Sequence, residues 1–136
     1  MSQQNVELVR KLYAEWEQGR FWEMTDVYAP DVEWQWSRKA AMLRSGSDTY
    51  RGLREIGAAM REWVSDWGLF GLRPEEFIDA GDHVVVLSEV YAELKEGRGE
   101  VHDHQADVIT LQDGKIVRME TFDARSDAME ALGLGE

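Results

Sequence analysis

The chain has 136 residues, 43% of them hydrophobic, which is enough for one domain with a buried core but not for two of ordinary size. Its formal charge of -12 argues against binding to nucleic acid or to an anionic membrane surface, because both would repel a protein of that sign. The absence of cysteine excludes disulfides and thiolate sites, and a polar start with no long apolar stretch favours a cytoplasmic protein.

The first half of the chain predicts helices and one strand. Apolar residues recur at helical spacing from Asn5 to Gln18, and a short second helix is expected from Phe21 to Tyr28 because Pro30 prevents its continuation. Alternating residues from Val32 to Trp36 predict a strand. The irregular stretch from Ser37 to Arg51 is interpreted as a loop that could cover a pocket.

The second half changes from helical to strand periodicity. A helix is predicted from Gly52 to Trp67, and the later segments are strands from Gly71 to Ala80, His83 to Leu94, Val101 to Gln112 and Lys115 to Phe122, with a last helix from Ser126 to Leu134. This order predicts an α+β fold in which helices pack onto one face of a curved, mainly antiparallel sheet.

Asp113 and Gly114 form the dipeptide most typical of a two-residue hairpin turn. If the hairpin is regular, Gln105 pairs with Phe122, Asp107 with Glu120 and Ile109 with Arg118. One face then carries all six of these residues, and the opposite face carries Ala106, Val108, Thr110, Val117, Met119 and Thr121. The turn at Gly97 to Gly99 leaves open whether Glu89 or Val90 joins the face of Asp107.

Two acids and an arginine on one face have two interpretations. In the functional one, Asp107 is a general base or acid, Glu120 is its partner, Arg118 orients a substrate oxygen, and the flanking Gln105, Ile109 and Phe122 contact the substrate. In the structural one, the three charged residues form an ion-pair network that holds the two strands together.

Aromatic residues could supply the walls of such a pocket. Tyr13, Trp16, Trp34 and Trp36 are the candidates, although residues at these spacings are also ordinary core. A metal site at His102 and His104 with Asp123 is a weaker alternative, since exposed polar residues of a strand explain the pattern as well. We therefore expect neither a metal nor another cofactor.

Several segments together resemble the SnoaL-like branch of the nuclear transport factor 2-like superfamily. They are Leu8 to Tyr13, Asp31 to Trp34, Tyr50 to Gly52, Glu76 to Leu87 and Leu111 to Phe122, with Ala128 to Leu134 after them. The resemblance covers nearly the whole chain. It implies a single domain over residues 1–136, a cystatin-like α+β barrel or cone with an internal pocket between the helices and the concave sheet, and a homodimer.

The resemblance also implies a range of chemistry, because the superfamily includes isomerases, dehydratases, polyketide cyclases and epoxide hydrolases. Many close relatives carry histidine where this chain has Asp107, so substrates do not transfer directly. The epoxide hydrolase branch uses an Asp-Arg-Asp set that Asp107, Arg118 and Glu120 resemble in residue type only.

We therefore expect an acid–base enzyme acting on a small, largely apolar molecule with a carbonyl, hydroxyl or epoxide group. The alternative is a non-catalytic module of the same fold that binds a ligand or a protein. A homodimer through the outer face of the sheet would cover the apolar residues expected there.

Overall fold

The computed structural model describes residues 2–18, 24–35, 49–65, 67–94, 99–122 and 124–133. The elements within these ranges are α1 (Ser2–Glu17), a 3-10 turn (Thr25–Val27), β1 (Tyr28–Gln35), β2 (Thr49–Arg51), α2 (Gly52–Ser65), β3 (Trp67–Ala80), β4 (His83–Leu94), β5 (Glu100–Gln112), β6 (Lys115–Phe122) and α3 (Arg125–Ala131). The part of the chain that the structure describes contains no helix long and apolar enough to span a membrane.

The described strands form one six-stranded sheet in the order β2-β1-β6-β5-β4-β3. Neighbouring strands are antiparallel except for β1 and β6, which are parallel. Strands β2 and β3 are the two edges, so the sheet is not closed. The α+β class with a mainly antiparallel sheet is therefore confirmed.

Each face of the sheet has its own hydrophobic cluster. The face that we call inner carries Val84 and Val86 of β4 and packs against α1, whose Val9, Leu12 and Tyr13 are buried. Helix α2 adds Ile56 to the same cluster, as its apolar stripe predicts. The outer face carries Val85, Ala106 and Val108, and α3 covers them with Ala128. The last helix thus lies opposite the other two, whereas the prediction placed the helices on one face.

The sequence located most elements, and the main differences concern the short second helix, strand β2 and the start of β3. The short helix expected from Phe21 to Tyr28 is described only in part, as a single 3-10 turn, and Tyr28 already belongs to β1. The end of the expected loop at Ser37 to Arg51 contains β2, which is too short to show a periodic pattern. Strand β3 begins at Trp67, inside the stretch assigned to the preceding helix.

The hairpin between β5 and β6 turns at Asp113 and Gly114 as predicted. Their φ angles of 53° and 77° are the positive values that a two-residue hairpin turn of this kind requires. Pairing next to the turn also follows the prediction, with Gln112 opposite Lys115 and Leu111 opposite Ile116.

The predicted register beyond these pairs is wrong because β6 contains one extra residue. Thr110 pairs with Arg118, although its neighbour Leu111 pairs with Ile116, so Val117 is left over as a β-bulge. A shift of one residue moves every following side chain to the other face.

Beyond the bulge, Asp107 is opposite Thr121 rather than Glu120, Ile109 is opposite Met119 rather than Arg118, and Phe122 is opposite Ala106 rather than Gln105. Met119 and Thr121 consequently lie on the inner face.

Candidate active site on the inner face

Asp107 is the charged residue at the centre of the inner face. It lies in the middle of β5, opposite Val86 of β4 and Thr121 of β6, and only 4% of it is exposed. The pairing with Val86 also settles the register that the sequence left open, because Val90 and not Glu89 shares the face of Asp107.

Three side chains from three elements donate hydrogen bonds to this carboxylate. The hydroxyl of Tyr13 in α1 donates to Oδ2 over 2.6 Å. The amide of Gln105 in β5 approaches both oxygens, with Nε2 at 3.1 Å from Oδ2 and 3.4 Å from Oδ1. The hydroxyl of Thr121 in β6 is the third donor, and it accepts from the indole Nε1 of Trp34 over 3.0 Å.

Burial and hydrogen bonding act on Asp107 in opposite directions. Desolvation is the larger effect and raises the pKa of the carboxyl above its ordinary value, while the bonds from Tyr13, Thr121 and Gln105 each lower it. Burial also raises the pKa of Tyr13, with the charge of Asp107 as the next cause. Tyr13 is thus held as a neutral hydroxyl that donates to the acid.

Aromatic rings surround the Tyr13 side of the site. The ring of Trp16 lies 4.6 Å from the ring of Tyr13, and the ring of Phe77 meets Tyr13 edge-on at 5.9 Å between centroids. The guanidinium of Arg10 stacks on Phe77 at 4.6 Å. Aromatic walls of this kind exclude water and lower the local dielectric around the acid.

Arg118 and Glu120 do not join Asp107. They form an ion pair with each other at 3.4 Å, with 45% and 22% of their side chains exposed, and Arg118 also donates to Gln35 at 2.8 Å. The extra residue in β6 turns both side chains to the outer face, where Glu120 is opposite Val108. The predicted common face of Asp107, Arg118 and Glu120 is therefore wrong.

The other predicted pocket residues are also distributed over both faces of the sheet. Tyr13, Trp16, Trp34, Gln105 and Ile109 belong to the inner side, and Ile109 is fully buried in its core. Phe122 is on the outer face, packed with the α3 cluster, so its predicted place beside Asp107 is wrong. Trp36 lies outside the described residues.

Sequence reasoning missed Thr121, a donor to Asp107, and did not single out the buried Ser88. Thr121 was assigned to the opposite face, and only knowledge of the bulge could have moved it to Asp107. Ser88 is a buried residue of β4 opposite Gln105. A serine within the run Val84–Val90 was the signal that could have identified it, because a polar residue in a strand buried on both faces needs a reason.

The two histidines considered for a metal site have other contacts. His102 Nε2 is 3.1 Å from Glu100 Oε1, and His104 Nε2 is 3.8 Å from Glu75 Oε1. Asp123 lies outside the described residues. Within the described ranges, no three His, Cys, Asp or Glu side chains converge as metal ligands would.

The arrangement around Asp107 is suited to moving protons. A carboxyl whose pKa is raised above its ordinary value is better able to hold a proton that it has accepted, and fixed donors hold its orientation. The groups lie on α1, β1, β5 and β6, so folding brings most of them together from distant parts of the chain.

Comparison with known proteins identifies the family. The SnoaL-like domain family matches residues 9–119, and this protein belongs to it. No curated protein sequence matches the chain significantly.

Solved structures agree in fold. TerC, co-crystallized with polyporic acid, is 25% identical, with a TM-score of 0.77 over 96% of this chain and 98% of its own. An NTF2-like protein of unknown function from Burkholderia pseudomallei is 24% identical, with a TM-score of 0.77 over 93% of this chain and 95% of its own. A protein of unknown function with a cystatin-like fold from Xanthomonas campestris is 21% identical, with a TM-score of 0.72 over 96% and 98%.

Proposed function

We propose that this protein is an acid–base enzyme that acts on a small, largely apolar molecule bearing a carbonyl, hydroxyl or epoxide group. The observation that carries the proposal is the buried carboxyl of Asp107, which has a raised pKa and receives hydrogen bonds from Tyr13, Gln105 and Thr121. Perturbed acids held by fixed partners are typical of catalytic sites.

In the proposed mechanism Asp107 takes a proton from the substrate and returns it at the same or a neighbouring atom. Tyr13 and Thr121 stabilise the ionised form before transfer, and burial raises the pKa of Asp107, which favours its protonated form after transfer. The aromatic rings beside Tyr13 would bind the apolar part of the substrate. That TerC was co-crystallized with polyporic acid supports a small organic ligand for this fold.

A non-catalytic binding module of the same fold is the competing function. One observation favours it: the three donors that hold Asp107 all belong to the protein itself, as in a structural network. Site-directed removal of the carboxyl separates the two functions, because a structural network affects stability whereas a catalytic acid also affects turnover.

The first experiment is a thermal-shift screen of the wild type and Asp107→Asn against small ketones, hydroxyacids, epoxides and sterols. A ligand at about a hundred times its dissociation constant stabilises the protein by roughly 2.7 kcal/mol. Ligands whose shift depends on Asp107 are then assayed for conversion. We expect Asp107→Asn to lower turnover by roughly a hundredfold or more.

Glu120→Gln is the matched control, because it removes a carboxylate from the outer face. Unchanged turnover in Asp107→Asn, or an equal loss in Glu120→Gln, would contradict the proposed role. Ligands that bind but are not converted by the wild type would favour the binding module.

The proposal also includes a cytoplasmic homodimer that uses no cofactor.

A further inference from the structure

Trp34 makes a polar contact that an aromatic wall does not need. Its indole Nε1, on β1, donates to Thr121 Oγ1, on β6, over 3.0 Å. The sequence predicts Trp34 as part of the apolar wall of a pocket, and a phenylalanine ring would fill that role as well. The N–H group is what distinguishes the two residues, and here it ends on a side chain of the candidate site.

Strand pairing places this donor next to Asp107. Trp34 lies beside Met119 in the parallel pairing of β1 with β6, and Thr121 follows two residues later on the same face. Thr121 in turn lies directly opposite Asp107 on β5. The side chains of Trp34, Thr121 and Asp107 therefore form a row across three neighbouring strands of the inner face.

The chemistry of the three groups gives this row a single direction. An indole N–H can only donate a hydrogen bond, and an ionised carboxylate can only accept one. The hydroxyl of Thr121 lies between them and has one hydrogen, so accepting from Trp34 leaves that hydrogen for Asp107. A hydroxyl that accepts a hydrogen bond is also a stronger donor, because the two bonds polarise each other.

We propose that Trp34 is a positioning residue of the Asp107 site, whose indole N–H fixes the hydroxyl of Thr121 as a donor to the carboxylate. This inference rests on the proposed function and adds a residue that acts on the acid through another side chain. Burial disfavours the ionised carboxylate, which is the form that accepts a proton from the substrate. By orienting Thr121, Trp34 favours that form.

Carbon-13 NMR of the Asp107 carboxyl in the ligand-free protein tests the inference. Trp34→Phe keeps an aromatic ring but removes the N–H, and we expect it to move the titration midpoint of the carboxyl to higher pH. Thr121→Val removes the bond to the acid altogether and should move the midpoint further. Tyr13, whose hydroxyl also binds the carboxyl, stays neutral during this titration because its own pKa is raised.

Combining the two changes separates the N–H from the size of the ring. In the Thr121→Val background, Trp34→Phe should cause no further upward movement of the midpoint, because the hydroxyl through which Trp34 acts is gone. Thr121→Ser keeps a hydroxyl and should keep the response to Trp34→Phe. An equal upward movement with and without the hydroxyl overturns the inference.

Tyr50→Phe is the matched control. Tyr50 lies directly opposite Trp34 in the pairing of β1 with β2, and the variant likewise removes one polar group from an aromatic side chain. We expect it to leave the carboxyl midpoint in place. No movement in Trp34→Phe, or the same movement in Tyr50→Phe, overturns the inference.

A second measurement needs no change at Trp34 and so does not depend on the folding of that variant. In the wild type, the nitrogen-15 and proton resonances of the Trp34 indole should titrate with the same midpoint as the Asp107 carboxyl. This response should disappear in Asp107→Asn and in Thr121→Val. An indole resonance that does not respond to the carboxyl overturns the inference.

The outcomes also separate this inference from the proposed function. With a substrate from the ligand screen, Trp34→Phe should move the acidic limb of the pH–rate profile to higher pH, whereas loss of a wall contact alone would raise KM at every pH. If the carboxyl midpoint does not depend on Trp34 while Asp107→Asn loses turnover, the inference is overturned and the function stands. If the midpoint depends on Trp34 but Asp107→Asn keeps full turnover, the row of hydrogen bonds stands and the function fails.

Discussion

Asp107 shows how one residue combines a destabilising burial with stabilising hydrogen bonds. The carboxyl is almost completely removed from water, which disfavours its charge, and three donors recover part of that loss. Because desolvation is the larger effect, the residue carries a cost in stability wherever its carboxyl is ionised. A residue kept at such a cost is a candidate for function.

The first prediction concerns the pH dependence of stability in Asp107→Asn. The raised pKa of Asp107 means that its contribution to stability is fully present below the unfolded-state pKa of about 3.9 and is lost as pH rises through the folded-state pKa. The stability of Asp107→Asn relative to wild type should therefore improve as pH rises above about 4.

Urea unfolding of both proteins from pH 4 to pH 8 measures this trend. Asp113→Asn, at the exposed hairpin turn, corrects for the loss of one negative charge. A relative stability that worsens with pH would mean that the hydrogen bonds outweigh burial.

The second prediction concerns Tyr13, which donates a hydrogen bond of 2.6 Å to Asp107. Tyr13→Phe leaves a buried carboxylate with one donor fewer and should lower the free energy of unfolding by about 1–3 kcal/mol at neutral pH. Tyr28→Phe is the matched control, because Tyr28 is also buried but is not bonded to the acid. Equal losses in the two variants would show that the Tyr13 bond contributes nothing specific.

At the scale of elements, the bulge in β6 decides which residues form the site. Without it, Arg118 and Glu120 would lie beside Asp107 on a face that is otherwise the protein core. With it, Thr121 supplies an uncharged donor instead, and the two charged side chains reach solvent. Burying an ion pair seldom stabilises a protein, so the bulge places each side chain in the favourable environment.

The third prediction tests this register with two neighbouring residues. Thr121→Val removes a donor to the buried carboxylate and the acceptor of Trp34, and should lower the free energy of unfolding by about 1.5–3 kcal/mol. Glu120→Gln weakens only a partly exposed ion pair and should change it by less than about 1 kcal/mol. Chemical denaturation of both variants is the measurement, and a larger loss at Glu120 would support the regular register.

In the whole molecule, the two faces of the sheet are covered by different helices, and the candidate site lies on one of them. The inner face, under α1 and α2, holds the candidate site, and α3 covers one part of the outer face. Another part of the outer face carries Tyr91, whose ring packs against His102 at 4.6 Å. An aromatic pair on the outer face is suited to association with a second copy.

The fourth prediction is a homodimer through this outer face. Sedimentation velocity at micromolar concentrations should give the mass of two chains. Because each copy has a formal charge of -12, raising the salt concentration screens the repulsion and should strengthen the dimer. A monomer at all salt concentrations would contradict the prediction.

The sequence by itself determined the kind of fold and most of its elements. Helix α1, the valine-rich strand β4 and the turn at Asp113 and Gly114 follow from spacing and from backbone preferences that act over a few residues. The prediction that Asp107 was the chemically important acid also came from the sequence, and it remains a prediction.

Only the tertiary structure decided which residues surround that acid. A single extra residue at Val117 leaves no local signal in composition, yet it exchanges the faces of Arg118, Glu120 and Thr121. Tyr13 reaches the site from α1, so its approach depends on how distant elements pack. Periodicity reports which side of its own strand a residue occupies, whereas a site depends on register and packing between strands and helices.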